Sequence, residues 1–150
     1  FWRNNIIGFA PFVHGQVKAP AFNKTVNIIG TFFDKNLPVS DDGKYRTGNK
    51  TISTYWHVDG QWPDDEKAQA LVGQALAQNL GLKSGDKLEL RGIENRTLSV
   101  TITGLLENGT ADENAVLLPL NLGQQLLGLN GRVQSVRVSA LTVPENALSK

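Results

Sequence analysis

Every aromatic side chain of this 150-residue chain lies at or before Trp62. Phe9, Phe12, Phe22, Phe32, Phe33, Tyr55, Trp56 and Trp62 crowd that stretch, together with Phe1 and Trp2. Aromatic rings carry the largest apolar area of any side chain, so their placement dictates where bulky packing can occur. The C-terminal part must therefore build its core from Leu, Val, Ile and Ala alone. The N-terminal part holds either a separate aromatic core or an exposed aromatic surface. A core is the plainer reading. Exposed aromatics near a loop would instead mark a contact site for a partner or an apolar ligand. Two lobes, 1–62 and 63–150, are expected within one domain.

Composition narrows the class. Apolar residues make up 40% and charged residues 19%, too little charge for a disordered or coiled-coil chain. The net charge is +1 and the pI about 8.2. Without a basic stripe, nucleic acid is not an expected partner. There is no Cys, which excludes a disulfide scaffold, thiol catalysis and Cys-based zinc sites. There is no Met, and the chain opens Phe1-Trp2-Arg3, so it is expected to be a piece of a longer protein. No run approaches the roughly 18 apolar residues of a membrane span.

Local pattern predicts the elements. The opening Asn5–Val13 reads as an extended segment followed by a short strand. Val26–Phe33 is rich in β-branched and aromatic residues and reads as a strand, with Gly30 marking a bulge or a close backbone approach. Residues 34–54 are the least ordered in pattern, with turn chemistry at Asp41-Asp42-Gly43-Lys44. A helix is predicted over about 65–80, capped by Asp64 or Asp65 and stopped by Gly81. Its apolar stripe is Ala68, Leu71, Val72, Ala75, Leu76 and Leu80. Gly73 inside it marks close packing. Strands follow at Lys87–Leu90, Leu98–Thr103 and Ala115–Leu118. A second helix runs 119–127 from Pro119 at its first position to the stop at Gly128. A last strand holds Val133–Val138. The sum is an α+β fold: a mixed, mostly antiparallel sheet with two helices.

Catalytic signatures are missing. Gly81-Leu82-Lys83-Ser84-Gly85 follows a helix instead of opening one, so its N–H groups would not converge on a phosphate. His14 and His57 lack metalloprotease spacing and a neighbouring Ser elbow. The acidic groups Asp41-Asp42, Asp64-Asp65-Glu66 and Asp112-Glu113 sit in turns or at a helix start, where acids serve solubility and capping. Four Asn-x-Thr triplets, at Asn23, Asn49, Asn95 and Asn108, fall in predicted loops or strand ends and indicate surface placement.

Several stretches, in order, resemble the extracytoplasmic domain of MacB-like and FtsX-like ABC transporter permeases. They are Val26–Thr31, Asp59-Gly60-Gln61-Trp62, Ala70–Leu88, Val100–Leu106 and Asp112–Leu120, the last continued by Gln125–Gly128. Ala70–Leu88 is the most diagnostic of them. Gln61 replaces a residue that is usually basic. The resemblance implies an integral membrane parent with one helix before this domain and three after it. It implies a cytoplasmic ATPase partner, a dimeric parent and motion of the outer domain driven by ATP, called mechanotransmission. The place would be the periplasmic face of a bacterial inner membrane, and the domain itself would have neither active site, metal nor cofactor. It also implies part of a porter-like lobe. Phe32, Phe33, Trp56 and Trp62 are then the candidate contacts for a periplasmic partner or cargo. Leu80–Leu90 also resembles an element of double-psi barrels, found in DNA-binding regulators and metalloenzyme domains. A soluble extracytoplasmic ligand-binding domain is a third reading and would need a deep apolar pocket.

Overall fold

A computed structural model describes residues 2–39 and 43–144. The chain begins with a long strand, β1 (Trp2–Ala19), and turns through a short 3-10 segment into β2 (Lys24–Thr31). A small hairpin, β3 (Lys35–Val39) and β4 (Gly43–Thr47), leads to a one-turn helix, α1 (Asn49–Ile52). Then come β5 (His57–Gly60), β6 (Gln69–Gly73), α2 (Gln74–Leu80), β7 (Lys87–Arg91) and β8 (Thr97–Glu107). β9 (Ala115–Pro119), α3 (Leu120–Leu127) and β10 (Ser135–Pro144) complete it. The α+β class and the mixed, mostly antiparallel sheet are as the pattern predicts.

One eight-stranded sheet runs β10-β1-β2-β9-β6-β8-β5, with β7 pairing both β8 and β1. β2 with β9 and β6 with β8 are parallel; the other pairs are antiparallel. The path β1-β2-β9-β6-β8-β7 returns to β1 through the single pair Lys18↔Arg91, so the strands close a ring. Closure removes free edges from this part of the sheet.

The pleat then sorts side chains into two cores, because neighbours on a strand point to opposite faces. Ile28, Ala70, Val72, Val100, Ile102, Val116 and Leu118 fill the aliphatic core inside the ring, joined by Leu76 and Leu126 from the helices. Their strand neighbours Ile29, Leu71, Ala115 and Leu117, with Leu106, face outward. There they meet Phe33, Trp56 and Trp62. Each core takes residues from both sides of position 62.

The predicted helix over 65–80 is corrected. Residues 65–68 are turn and bend, 69–73 form the strand β6, and only Gln74–Leu80 is helical. Ala70, Leu71 and Val72 are all fully buried. A strand buried on both faces gives an unbroken apolar run, which a short window cannot tell from a helical stripe. Gly73 does mark close packing: a Cβ there would lie 2.2 Å from the backbone of Glu113. The close approach expected at Gly30 is also present, against Gly123 of α3, where an added Cβ would sit 3.0 Å from the Gly123 Cα. Pro119 ends β9 and caps α3 instead of occupying its first turn. The expected short strand at the N-terminus is part of the long β1. The stretch 34–54 is more regular than its pattern indicates, since it holds the hairpin and α1; the Asp41-Asp42 pair lies outside the described residues.

Candidate aromatic contact site

The segment Phe32-Phe33-Asp34 leaves β2 and is clamped from two directions. On one side, the first N–H groups of α1 donate to its carbonyls: Asn49 N to Phe32 O and Lys50 N to Phe33 O, both at 2.9 Å. On the other, the Asp65 carboxylate accepts from Phe33 N at 2.9 Å and Asp34 N at 2.7 Å. Asp65 is 6% exposed. Burial pushes its carboxyl above the usual range, against the lowering effect of those two backbone donors and of Lys35. The sequence pattern predicts Asp64 or Asp65 as a helix cap. Asp65 instead satisfies donors of a distant loop, since no helix begins beside it.

Asn49 is likewise buried, contrary to the surface placement expected of its Asn-x-Thr triplet. Its Nδ2 donates to Thr31 Oγ1 and Phe32 O, and its Oδ1 accepts from Ser53 Oγ. A buried amide persists only when its donors and acceptor are matched, as they are here. No triplet pattern reveals that role.

The clamp delivers the aromatic groups to two places. Phe33 and Trp56 are buried. Trp62, half-buried, stacks on Trp56 with centroids 6.1 Å apart and planes 3° from parallel, and meets Phe33 edge-on at 6.3 Å. Phe32 points elsewhere: it packs on Phe9 at 6.1 Å and borders a small cavity beside Leu120 and Gln124. So Phe33, Trp56 and Trp62 form one cluster, and Phe32 does not join it.

Trp62 opens onto a polar cleft of about 280 Å³ lined by Asp34, Arg46, Lys50, Gln61 and Asp64. Arg46 forks onto Asp34, with Nη2 at 2.7 Å and Nε at 3.2 Å. Lys35 pairs with Glu66 nearby. These charges are mutually neutralised, which suits a contact rim better than acid–base chemistry. Among the described residues, no three His, Cys, Asp or Glu side chains gather as a metal site. A second, larger cleft of about 720 Å³ lies on the outer face of β1 and β2, between Phe12, His14, Ile29, Asp112, Ala115 and Arg137. Sequence reasoning did not find it, because its walls come from four separated segments.

The architecture defines the fold: it is that of the periplasmic region of MacB. The crystal structure of the periplasmic region of MacB from Actinobacillus actinomycetemcomitans superposes with a TM-score of 0.54 over 97% of this chain, at 7% sequence identity. The chain spans 63% of that structure's length. No protein-family model matches the chain, and no curated protein matches its sequence. No helix among the described residues is long and apolar enough to cross a membrane.

Proposed function

We propose that this chain is an extracytoplasmic domain of an ABC transporter permease. In that reading it works at the periplasmic face of a bacterial inner membrane and couples ATP hydrolysis by a cytoplasmic subunit to handling of a substrate or partner outside the membrane. The observation that carries the reading is the superposition on the periplasmic region of MacB over nearly the whole chain. β1 and β10 pair as one antiparallel ribbon, from Trp2↔Pro144 to Phe12↔Ser135. That ribbon is our candidate for the porter-like portion. The domain transmits motion and carries no chemistry of its own, and the parent acts as a dimer.

Contact with a partner or cargo is assigned to the aromatic rim. Trp62 presents its open edge, Phe32 flanks the neighbouring surface, and Phe33 and Trp56 back the rim from beneath. Trp62→Ala in the parent is expected to lower function with little loss of folding. Loss of folding instead would make the cluster core alone.

The deciding experiment is to sequence the coding DNA on both sides of this segment. One apolar helix upstream, three downstream and a neighbouring P-loop ATPase are expected. A soluble flank bearing a catalytic or DNA-binding domain would overturn the proposal. It would favour a second reading, a barrel lobe of an enzyme or regulator, which the closed strand ring and the position of Leu80–Leu90 at the entry to β7 support.

A further inference from the structure

β10 is an edge. It pairs with β1 alone, from Trp2↔Pro144 to Phe12↔Ser135, and its other side meets no strand among the described residues. Soluble proteins guard such edges with charges, prolines or bulges. The register irregularity in this ribbon lies on β1, between Ile6 and Gly8, and inserts no extra residue into β10. The described side chains of β10 are Ser135, Val136, Arg137, Val138 and Ser139, a single charge among them.

The two faces of this edge differ. Val136 and Val138 share one face and are 52% and 54% exposed. Arg137 lies on the other face, over the Phe12 ring with its guanidinium carbon 4.9 Å from the centroid, and donates to Tyr55 Oη at 3.3 Å. Among the described residues it has no carboxylate partner, and exposed Arg132 just before the strand has none either. Across the larger cleft, Asp112 is occupied in accepting from Asn108 Nδ2 at 3.2 Å. The cleft floor beside Arg137 is apolar, with Phe12, Ile29 and Ala115.

We propose that the free edge of β10 takes up an extended strand of a partner polypeptide, one that alternates β-branched apolar residues with an acidic residue. The backbone of the added strand would complete the unpaired ladder. Its apolar residues would sit beside Val136 and Val138, and its carboxylate opposite Arg137, as cross-strand pairs on opposite faces. Arg137 is prepared for that role: the ring of Phe12 and the hydroxyl of Tyr55 hold the guanidinium in place without neutralising it. This surface uses none of Phe32, Phe33, Trp56 and Trp62, and the inference does not depend on the transporter reading.

The test uses the 150-residue chain and a fluorescein-labelled probe, acetyl-TVTVEVTVT-amide, followed by anisotropy and amide hydrogen exchange. Saturable binding is expected, with slowed exchange at residues 135–139. Replacing the probe's Glu by Lys should weaken binding at least tenfold, and Arg137→Glu should reverse that preference. Val138→Lys, on the opposite face, should weaken both probes alike. Equal binding of the two probes, no binding at millimolar concentration, or a charge preference without exchange protection in β10 would each overturn the proposal. So would a dimer in sedimentation velocity that Val138→Lys dissolves, since the edge would then belong to a second copy of the chain.

Discussion

Trp56 buries its indole Nε1–H with no protein acceptor among the described residues, although its ring packs in the core around Phe33. An unmet buried donor costs about 1–3 kcal/mol. Trp56→Phe removes that donor while keeping a ring against Trp62. Its stability in urea is expected within about 1 kcal/mol of the parent chain, because relief of the donor offsets the lost area. Trp56→Ala should cost about 3–5 kcal/mol. Equal losses for the two variants would mean that the N–H is satisfied. Asp65 works in the opposite sense, by satisfying two donors. Asp65→Ala orphans Phe33 N–H and Asp34 N–H and should cost roughly 1–3 kcal/mol for each donor that water cannot reach. Asp65→Asn keeps one accepting oxygen and should cost about half as much. The pH dependence has a definite sign. Burial raises the folded-state value above the ordinary 3.8, so the ionised form is the penalised one. The proton-linked stability is full below 3.8 and is lost as pH rises through the raised folded value. Subtracting the Asp65→Asn profile from that of the parent chain isolates this slope, and a slope of the opposite sign would refute the assignment.

At the scale of elements, α2 and α3 depend on the ring whose core they pack against. α2 has seven residues, too short to hold together unaided, and Leu76 and Ala77 anchor it in the aliphatic core. Leu76→Ala should cost about 2–5 kcal/mol, read as a fall in Tm; an unchanged Tm would mean that this face is not core. The helix stops were legible from glycine. Gly81 and Gly128 both adopt left-handed conformations, at φ 68° and 70°, as their positions after an apolar stripe predict. The start of α2 was not legible. Ala70-Leu71-Val72 fits a helical stripe as well as a doubly buried strand, and the choice depended on partners distant in sequence. β6 pairs β8 in parallel and β9 antiparallel. Such non-local pairing leaves no local signature.

At the scale of the molecule, one sheet divides two cores, and the pleat performs the division: Phe33, Trp56 and Trp62 join Leu71, Leu106, Ala115 and Leu117 on the outer side, while the inner core is aliphatic apart from Phe22 at its margin. In the proposed reading the domain transmits motion and holds no nucleotide site. The purified 150-residue chain is therefore expected to hydrolyse no ATP in a coupled assay. Turnover above background that survives further purification would sink the view that the domain only transmits motion. The likeness to the periplasmic region of MacB rests on this arrangement of strands, at 7% identity. The stretches that carry the resemblance in sequence fall on its framework: Val26–Thr31 on β2, Ala70–Leu88 from β6 through α2 into β7, and Asp112–Leu120 into β9 and α3.

By itself the sequence determined the α+β class, most strands, both helix stops and the split between an aromatic and an aliphatic population. Those features follow from local periodicity, from glycine's access to positive φ and from side-chain size. Tertiary structure decided which aromatics meet. Phe32 and Phe33 are neighbours in the chain yet pack in different places, since successive residues of an extended segment face opposite ways. It also decided that Asp65 and Asn49 are buried: their partners lie at Phe32, Phe33 and Thr31, and only folding brings them together. The open edge of β10 likewise appears only once β1 has taken its other side, because whether a strand is an edge depends on its neighbours and not on its own residues.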